Sequence, residues 1–105
     1  MSLLDQGHTL ACCAVNITEV YAGLRPGEEP ATKLFLDTLD FFPITREVAR
    51  SAGSLRRKWR QKGQTLSYTD VTIAAVAIEN GVALLTDNRK HFPMSEIELF
   101  ALPRS

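Results

Sequence analysis

Short unbroken apolar runs alternate along this chain with segments whose apolar residues recur every three or four positions. "HTLACCAV" (8–15) is a continuous apolar run and predicts a buried strand. "NITEVYAGL" (16–24) turns to helical spacing, with Ile17, Val20, Tyr21 and Leu24 on one side. "RPGEEP" (25–30) is a loop by its prolines and glycine. "ATKLFLDTL" (31–39) predicts a short helix with Leu34, Phe35 and Leu39 inward, and "FFPIT" (41–45) a short strand weakened by Pro43. A basic helix over 46–61 ends at Gly63, a good terminator. The next helix carries Val71, Ala74, Ala75 and Ile78 at i, i+3, i+4 and i+7, and stops at the Asn-Gly pair at 80–81. "VALLT" (82–86) predicts a buried strand and "EIELF" (96–100) an alternating one. Apolar strands alternating with helices predict an α/β fold, a three-layer sandwich with a mainly parallel sheet. No repeat, low-complexity tract or composition shift divides residues 1–105, so one domain is expected.

Bulk properties narrow the classes. With 45% hydrophobic and 23% charged residues, the 105-residue chain has an ordinary globular balance. No apolar run approaches the roughly 20 residues that span a bilayer, and no basic-then-apolar leader is present. A membrane role is therefore not expected. Cys12 and Cys13 are neighbours in a strand, so they point to opposite faces and do not pair. Two reduced thiols without a leader suggest a cytoplasmic protein.

Charge is balanced overall but unevenly spread. Residues 46–62 hold seven basic side chains and one acid, Glu47, so the segment carries +6 and the remainder −6. A solvated helix face is the simplest reading of such a run. Beside an acidic cleft, however, it could hold a phosphate backbone. Arg56, Arg57, Lys58 and Arg60 are the candidate phosphate contacts, with Trp59 read as core.

The acids give the chain its candidate chemistry. Glu19 follows the strand at 8–15, Asp70 opens an apolar helix, and Asp87 and Asn88 follow the strand at 82–86. In an open parallel sheet, ligands bind outside the carboxyl ends of the strands. Oxygen-bearing side chains gathered there suit Mg²⁺ or Mn²⁺. Each residue also has a structural reading. Asn16-x-x-Glu19 and Ser67-x-x-Asp70 have the form of capping boxes, and Asp87-Asn88 is ordinary turn chemistry. Spacing alone supports both readings.

"CAVNITEVYAGL" and "LSYTDVTIAAVAIENGVALLTDNRKHF" resemble, in order, the second and then the third and fourth motifs of the PIN domain, and most closely those of the VapC-type toxins. The resemblance runs from about Thr9 to Phe100. It implies a metal-dependent endoribonuclease, the toxin of a type II toxin–antitoxin system, inhibited by a cognate antitoxin protein. On that pattern Glu19, Asp70 and Asn88 are the catalytic and metal residues, and Asp87, adjacent to the fourth position, is a fourth catalytic candidate that would compensate there. Hydrolysis of an RNA phosphodiester by metal-activated water is the implied mechanism, with His91 either positioning a phosphate or packing beside Phe92.

The pattern departs from the family at the start. A complete PIN domain opens with a central strand ending in an acid, then a helix, and only seven residues precede the strand at 8–15. Residues 2–7 are expected to end a helix entering that strand, with Asp5 a helix-end residue and not the missing ligand. The expectation is an N-terminally truncated PIN-like domain lacking the family's first strand and first helix. A shortened sequence, a partner chain or an improvised N-terminus would each account for the gap. An interrupted sheet and an apolar helix suggest a homodimer. The alternative function is a catalytically incompetent module that binds RNA or antitoxin. A flavodoxin-like receiver is the third reading, disfavoured because this chain has no lysine after the last core strand in the position such receivers need and has few strands.

Overall fold

The computed structural model of this protein describes residues 3–6, 9–86 and 88–100, of which 3–6, 9 and 10 are described by their backbone only. The chain runs β1 (Leu3–Gln6), β2 (Thr9–Cys13), α1 (Ala14–Ala22), α2 (Glu29–Leu36), β3 (Asp40–Phe42), α3 (Arg46–Gln61), α4 (Tyr68–Asn80), β4 (Ala83–Leu85), a 3₁₀ turn (Arg89–His91) and β5 (Leu99–Phe100). The five strands form one sheet in the order β3-β2-β1-β4-β5. β2 pairs parallel with β3, and β4 parallel with β5, while β1 is antiparallel to both of its neighbours. Four strands therefore run one way and the central strand runs the other.

Residues 3–6 are a strand at the centre of the sheet and not the end of a helix. The pairing Gln6↔Thr9 leaves two residues between β1 and β2. Two residues can join an antiparallel pair, whereas a parallel pair needs a crossover of a dozen or more. The sheet thus has a central strand, in the reverse direction. Its register sets Asp5 opposite Leu10 and Ala83, while Leu3 lies opposite Leu85. Asp5 is two residues, about 6–7 Å of strand rise, back from the edge where β4 ends.

α4 lies between the sheet and α3. Ala11, Cys13 and Leu84 face it from the strands; Val48, Ala52 and Leu55 face it from α3. Val71, Ile73, Ala74, Ala75, Val76 and Ala77 are all buried. The helix is buried on nearly every side, where spacing predicted one apolar face. Gly81 ends it in the left-handed conformation (φ 63°) that a side chain disfavours. α3 keeps the expected amphipathic character, burying Val48, Ala52 and Leu55 while Arg50, Arg57, Lys58 and Arg60 face solvent. Half-buried Trp59 packs against the core, as read from sequence.

On the other sheet face, buried Cys12 meets Leu36 of α2 and Ile17 and Tyr21 of α1 around a cleft of about 280 Å³. The cysteines do face opposite ways, and both are free thiols. The apolar face of α2 differs from expectation. Leu36 is its buried residue, whereas Leu34 and Phe35 are 71% and 52% exposed. The helix also starts two residues early, at Glu29, and stops at Leu36, so the predicted register is displaced. β2 is shorter than the run 8–15, with His8 outside the described residues, and β5 keeps only the last two residues of "EIELF".

Candidate functional site

The helix after β2, the start of α4 and the turn after β4 converge on one cleft of about 330 Å³. Glu19 enters from α1. Ser67, Thr69 and Asp70 come from the first turn of α4, and Asn88 and His91 from the turn beyond β4. Ile73 and Phe92 line its apolar side. The cleft lies at the carboxyl ends of β2 and β4, where ligands bind in sheets of this type.

Local chemistry sets each residue in place. α1 begins at Ala14, not at Asn16, and Asn16 is its third residue. The fully buried Asn16 side chain reaches back, and its Oδ1 accepts the Cys13 N–H at 2.9 Å. That contact ends β2 at Cys13 and fixes the turn of helix on which Glu19 rides. Glu19 itself is exposed, with no partner among the described residues. The Asn16-x-x-Glu19 spacing predicts a cap on the following turn; the same side chain caps the preceding one.

Asp70 is held by the start of α4. Ser67 is the N-cap, and its Oγ accepts the Asp70 N–H at 3.0 Å. The Asp70 carboxylate turns into the cleft, where Oδ2 stands 3.3 Å from His91 Nδ1 and the side chain is 20% exposed. Oδ1 has no partner among the described residues. His91 thus belongs to the cleft by its contact with Asp70. Asn88 is positioned by Thr86, a buried residue at the end of β4 whose Oγ1 accepts the Asn88 N–H at 3.0 Å. Hydroxyl-to-backbone bonds of this span make tight turns. The spacing Thr86-x-Asn88 was the available signal for that turn. Asp87 lies outside the described residues.

The cleft therefore joins Glu19, Asp70 and Asn88. Among the described residues, no three His, Cys, Asp or Glu side chains cluster to hold a metal. Two carboxylates and an amide remain, all hard oxygen donors. Mg²⁺ keeps several waters and is commonly bound through one or two carboxylates plus substrate phosphate. The donor set suits such a cation.

The four basic candidates separate. Arg56, Arg57 and Arg60 line a groove with Gly53 and Tyr68. Lys58 instead sits 3.5 Å from Glu96, as an exposed ion pair. Arg56 is held by the chain: Nε donates to the Leu66 carbonyl at 2.8 Å and Nη1 to the Tyr68 hydroxyl at 3.3 Å. It anchors the loop that leads into Ser67 and Asp70.

An α/β domain with an acid-lined cleft at the carboxyl edge of its sheet is the class that fold and site define. The PIN-domain model matches residues 2–96, and the chain belongs to that family. Ribonuclease VapC19 of Mycobacterium tuberculosis is 34% identical over 92 residues, covering 88% of this chain and 74% of the relative. Ribonuclease VapC10 of the same organism is 33% identical over 87 residues, covering 83% and 65%. Among solved structures, VapBC2 from Rickettsia felis bound to a DNA fragment from their promoter superposes with a TM-score of 0.76. Identity is 27%, over 90% of this chain and 76% of that one.

Proposed function

We propose that this chain is a metal-dependent endoribonuclease, the toxin of a type II toxin–antitoxin system, which hydrolyses RNA phosphodiester bonds. The observation that carries the reading is the convergence of Glu19, Asp70 and Asn88, from three separate elements, on one cleft. The named activity of the ribonuclease relatives supports it.

In this reading Glu19, Asp70 and Asn88 hold Mg²⁺ or Mn²⁺, and Asp87, the sequence neighbour of Asn88, is a further catalytic candidate. The bound cation supplies the positive charge that activates water and stabilises the leaving oxygen. Asp70 lines the cleft with Oδ1 unpartnered among the described residues, and His91 stands beside Oδ2. Ser67 fixes the backbone that carries Asp70. Ile73 and Phe92 close one side of the cleft to water. Arg57 and Arg60 are free to meet phosphates, Arg56 fixes the loop, and Lys58 is a weaker candidate because Glu96 neutralises it.

The partner reading is a cognate antitoxin together with a second copy of the chain. Exposed Tyr21 and Phe41 line the cleft over Cys12, and Leu34 and Phe35 are exposed on α2; these apolar side chains support a protein contact. Among the described residues no helix is long and apolar enough to cross a membrane; a cytoplasmic location is part of the proposal. One observation favours the alternative, an RNA- or antitoxin-binding module without catalysis: the described cleft holds only two carboxylates.

Cleavage of a labelled RNA with Mn²⁺, with EDTA, and with the Asp70→Asn variant separates the two. Cleavage that needs Mn²⁺ and falls at least a hundredfold in the variant is the expected result. RNA binding without cleavage by the wild-type chain would establish the alternative.

A further inference from the structure

α3 carries Gly53, Arg56, Arg57 and Arg60 at i, i+3, i+4 and i+7, one stripe along the helix. With Tyr68 they line a groove of about 260 Å³. Three features of this groove are not required by the fold.

The first is Tyr68. It is 70% exposed, although it is a large aromatic side chain at the start of an otherwise buried helix. One ring face is covered by Arg56, whose Cζ lies 4.1 Å from the ring centroid, and its hydroxyl takes a bond from the same guanidinium. Arg56 in turn is fastened to the Leu66 carbonyl. The ring is held at a fixed angle with much of its surface open to solvent. A rigid aromatic surface presented in this way binds a flat partner at low entropic cost.

The second is Gly53. Glycine inside a helix is destabilising relative to alanine, and two reasons for keeping it are absent. Its φ is not positive, and a Cβ there would meet nothing within 4 Å. What the missing side chain does is leave the floor of the groove open.

The third is charge. Arg57 and Arg60 are exposed and have no acidic partner among the described residues, whereas Lys58, on the same helix, is paired with Glu96. Two unpaired guanidiniums beside an open aromatic ring match a phosphate joined to a base.

The groove also adjoins the cleft of the proposed active site. Tyr68 lines one, while Ser67, Thr69 and Asp70 line the other, so the two flank the first turn of α4. A helix with its side chains is about 10–12 Å across, a distance an extended strand crosses in a few nucleotides.

We infer that this groove is a nucleotide subsite for single-stranded RNA. An unpaired base stacks on the open face of Tyr68, its phosphate lies against Arg57 and Arg60, and the strand continues over the α4 N-terminus into the cleft that holds Asp70. The inference rests on the reading of the protein as a ribonuclease and assigns Tyr68 and Gly53 to substrate positioning.

The test is fluorescence anisotropy of a labelled 12-nucleotide single-stranded RNA in EDTA, where binding is read without cleavage. Tyr68→Ala should weaken binding about 5- to 150-fold, the range of one base–aromatic stack, and Tyr68→Phe should restore it. Tyr68→Ala should leave the salt dependence unchanged. Arg57→Gln with Arg60→Gln should flatten the slope of log affinity against log salt by about 1.4, two single-strand phosphate contacts. Gly53→Leu should raise the melting temperature yet weaken binding, a pairing that misfolding cannot produce. An RNA duplex of the same sequence should be indifferent to Tyr68→Ala, since its bases are already stacked.

Wild-type cleavage with unchanged binding in Tyr68→Ala and Gly53→Leu would overturn the subsite and leave the nuclease reading intact. Groove-dependent binding with no Mn²⁺-dependent cleavage would do the reverse. A wild-type chain that does not bind the RNA would overturn the subsite as well.

Discussion

Thr86 is the residue through which the buried sheet places Asn88, and it can be altered in two ways that cost similar stability but differ in geometry. It is 1% exposed, and its Oγ1 accepts the Asn88 N–H at 3.0 Å. Thr86→Val keeps the shape and removes the acceptor. Leaving a donor unpaired costs about 1–3 kcal/mol. Asn88 is exposed, so water can take over part of that bond, and about 1 kcal/mol is expected. Thr86→Ser keeps the acceptor and deletes one buried methyl, also worth about 1 kcal/mol. Each variant should lose roughly 4–6 °C in melting temperature for a domain of this size. Cation binding should separate them. Only the valine frees the turn, and loss of such a supporting contact typically costs 10- to 100-fold in metal affinity. With one neutral ligand at stake, about tenfold is expected for Thr86→Val and less than twofold for Thr86→Ser. Calorimetric titration with Mn²⁺ and thermal unfolding followed by circular dichroism read the two effects separately. Equal Mn²⁺ affinity in both variants would refute the claim that the Thr86 turn positions a ligand.

Two further predictions concern the scaffold. Asn16→Ala should destabilise the domain by about 2–4 kcal/mol, by orphaning the buried Cys13 N–H and leaving a cavity, as read by urea unfolding; a loss below 1 kcal/mol would contradict the role given to Asn16. The Cys12 thiol is raised above its ordinary value of 9.0, first by burial and second by the adjacent Cys13 thiol. The folded state therefore keeps this proton where the unfolded chain has lost it. Its contribution to stability is fully present below pH 9 and is lost as pH rises through the folded value, at most about 1.4 kcal/mol per pH unit. Denaturant unfolding between pH 8 and 11 should show that slope in the wild type and a shallower one in Cys12→Ala.

Elements with strong end signals were legible in the sequence, and those decided by distant contacts were not. α3 occupies the span 46–61 because Thr45 caps it, accepting the Val48 N–H at 3.1 Å, and a positive-φ glycine, Gly63, follows it. α4 is equally well bounded, by Ser67 and Gly81. Asn16 misled because asparagine caps a helix start in either direction, and the choice depended on the buried Cys13 N–H. The family pattern, with a helix before the second strand, predicts a helical end over residues 2–7, yet a two-residue connection permits only antiparallel pairing and β1 forms instead. α2 lost its predicted face through its displaced start, which put Leu36 inward in place of Leu34 and Phe35. Within the cleft, the acids were legible because strand ends and helix starts can be read locally. The His91 contact with Asp70 and the Arg56 contact with Tyr68 join residues 21 and 12 positions apart, and no local pattern announces them.

The most direct test of the central claim is Mn²⁺ binding by isothermal titration calorimetry, on the wild-type chain and on Asp70→Asn. The account predicts one saturable site in the wild type that is lost in the variant, with Glu19→Gln giving the same loss and the fold of each variant unchanged by circular dichroism. Equal binding in wild type and variant, or none in either, would contradict it, leaving Asp70 as the acid of a helix start and the cleft without its cation.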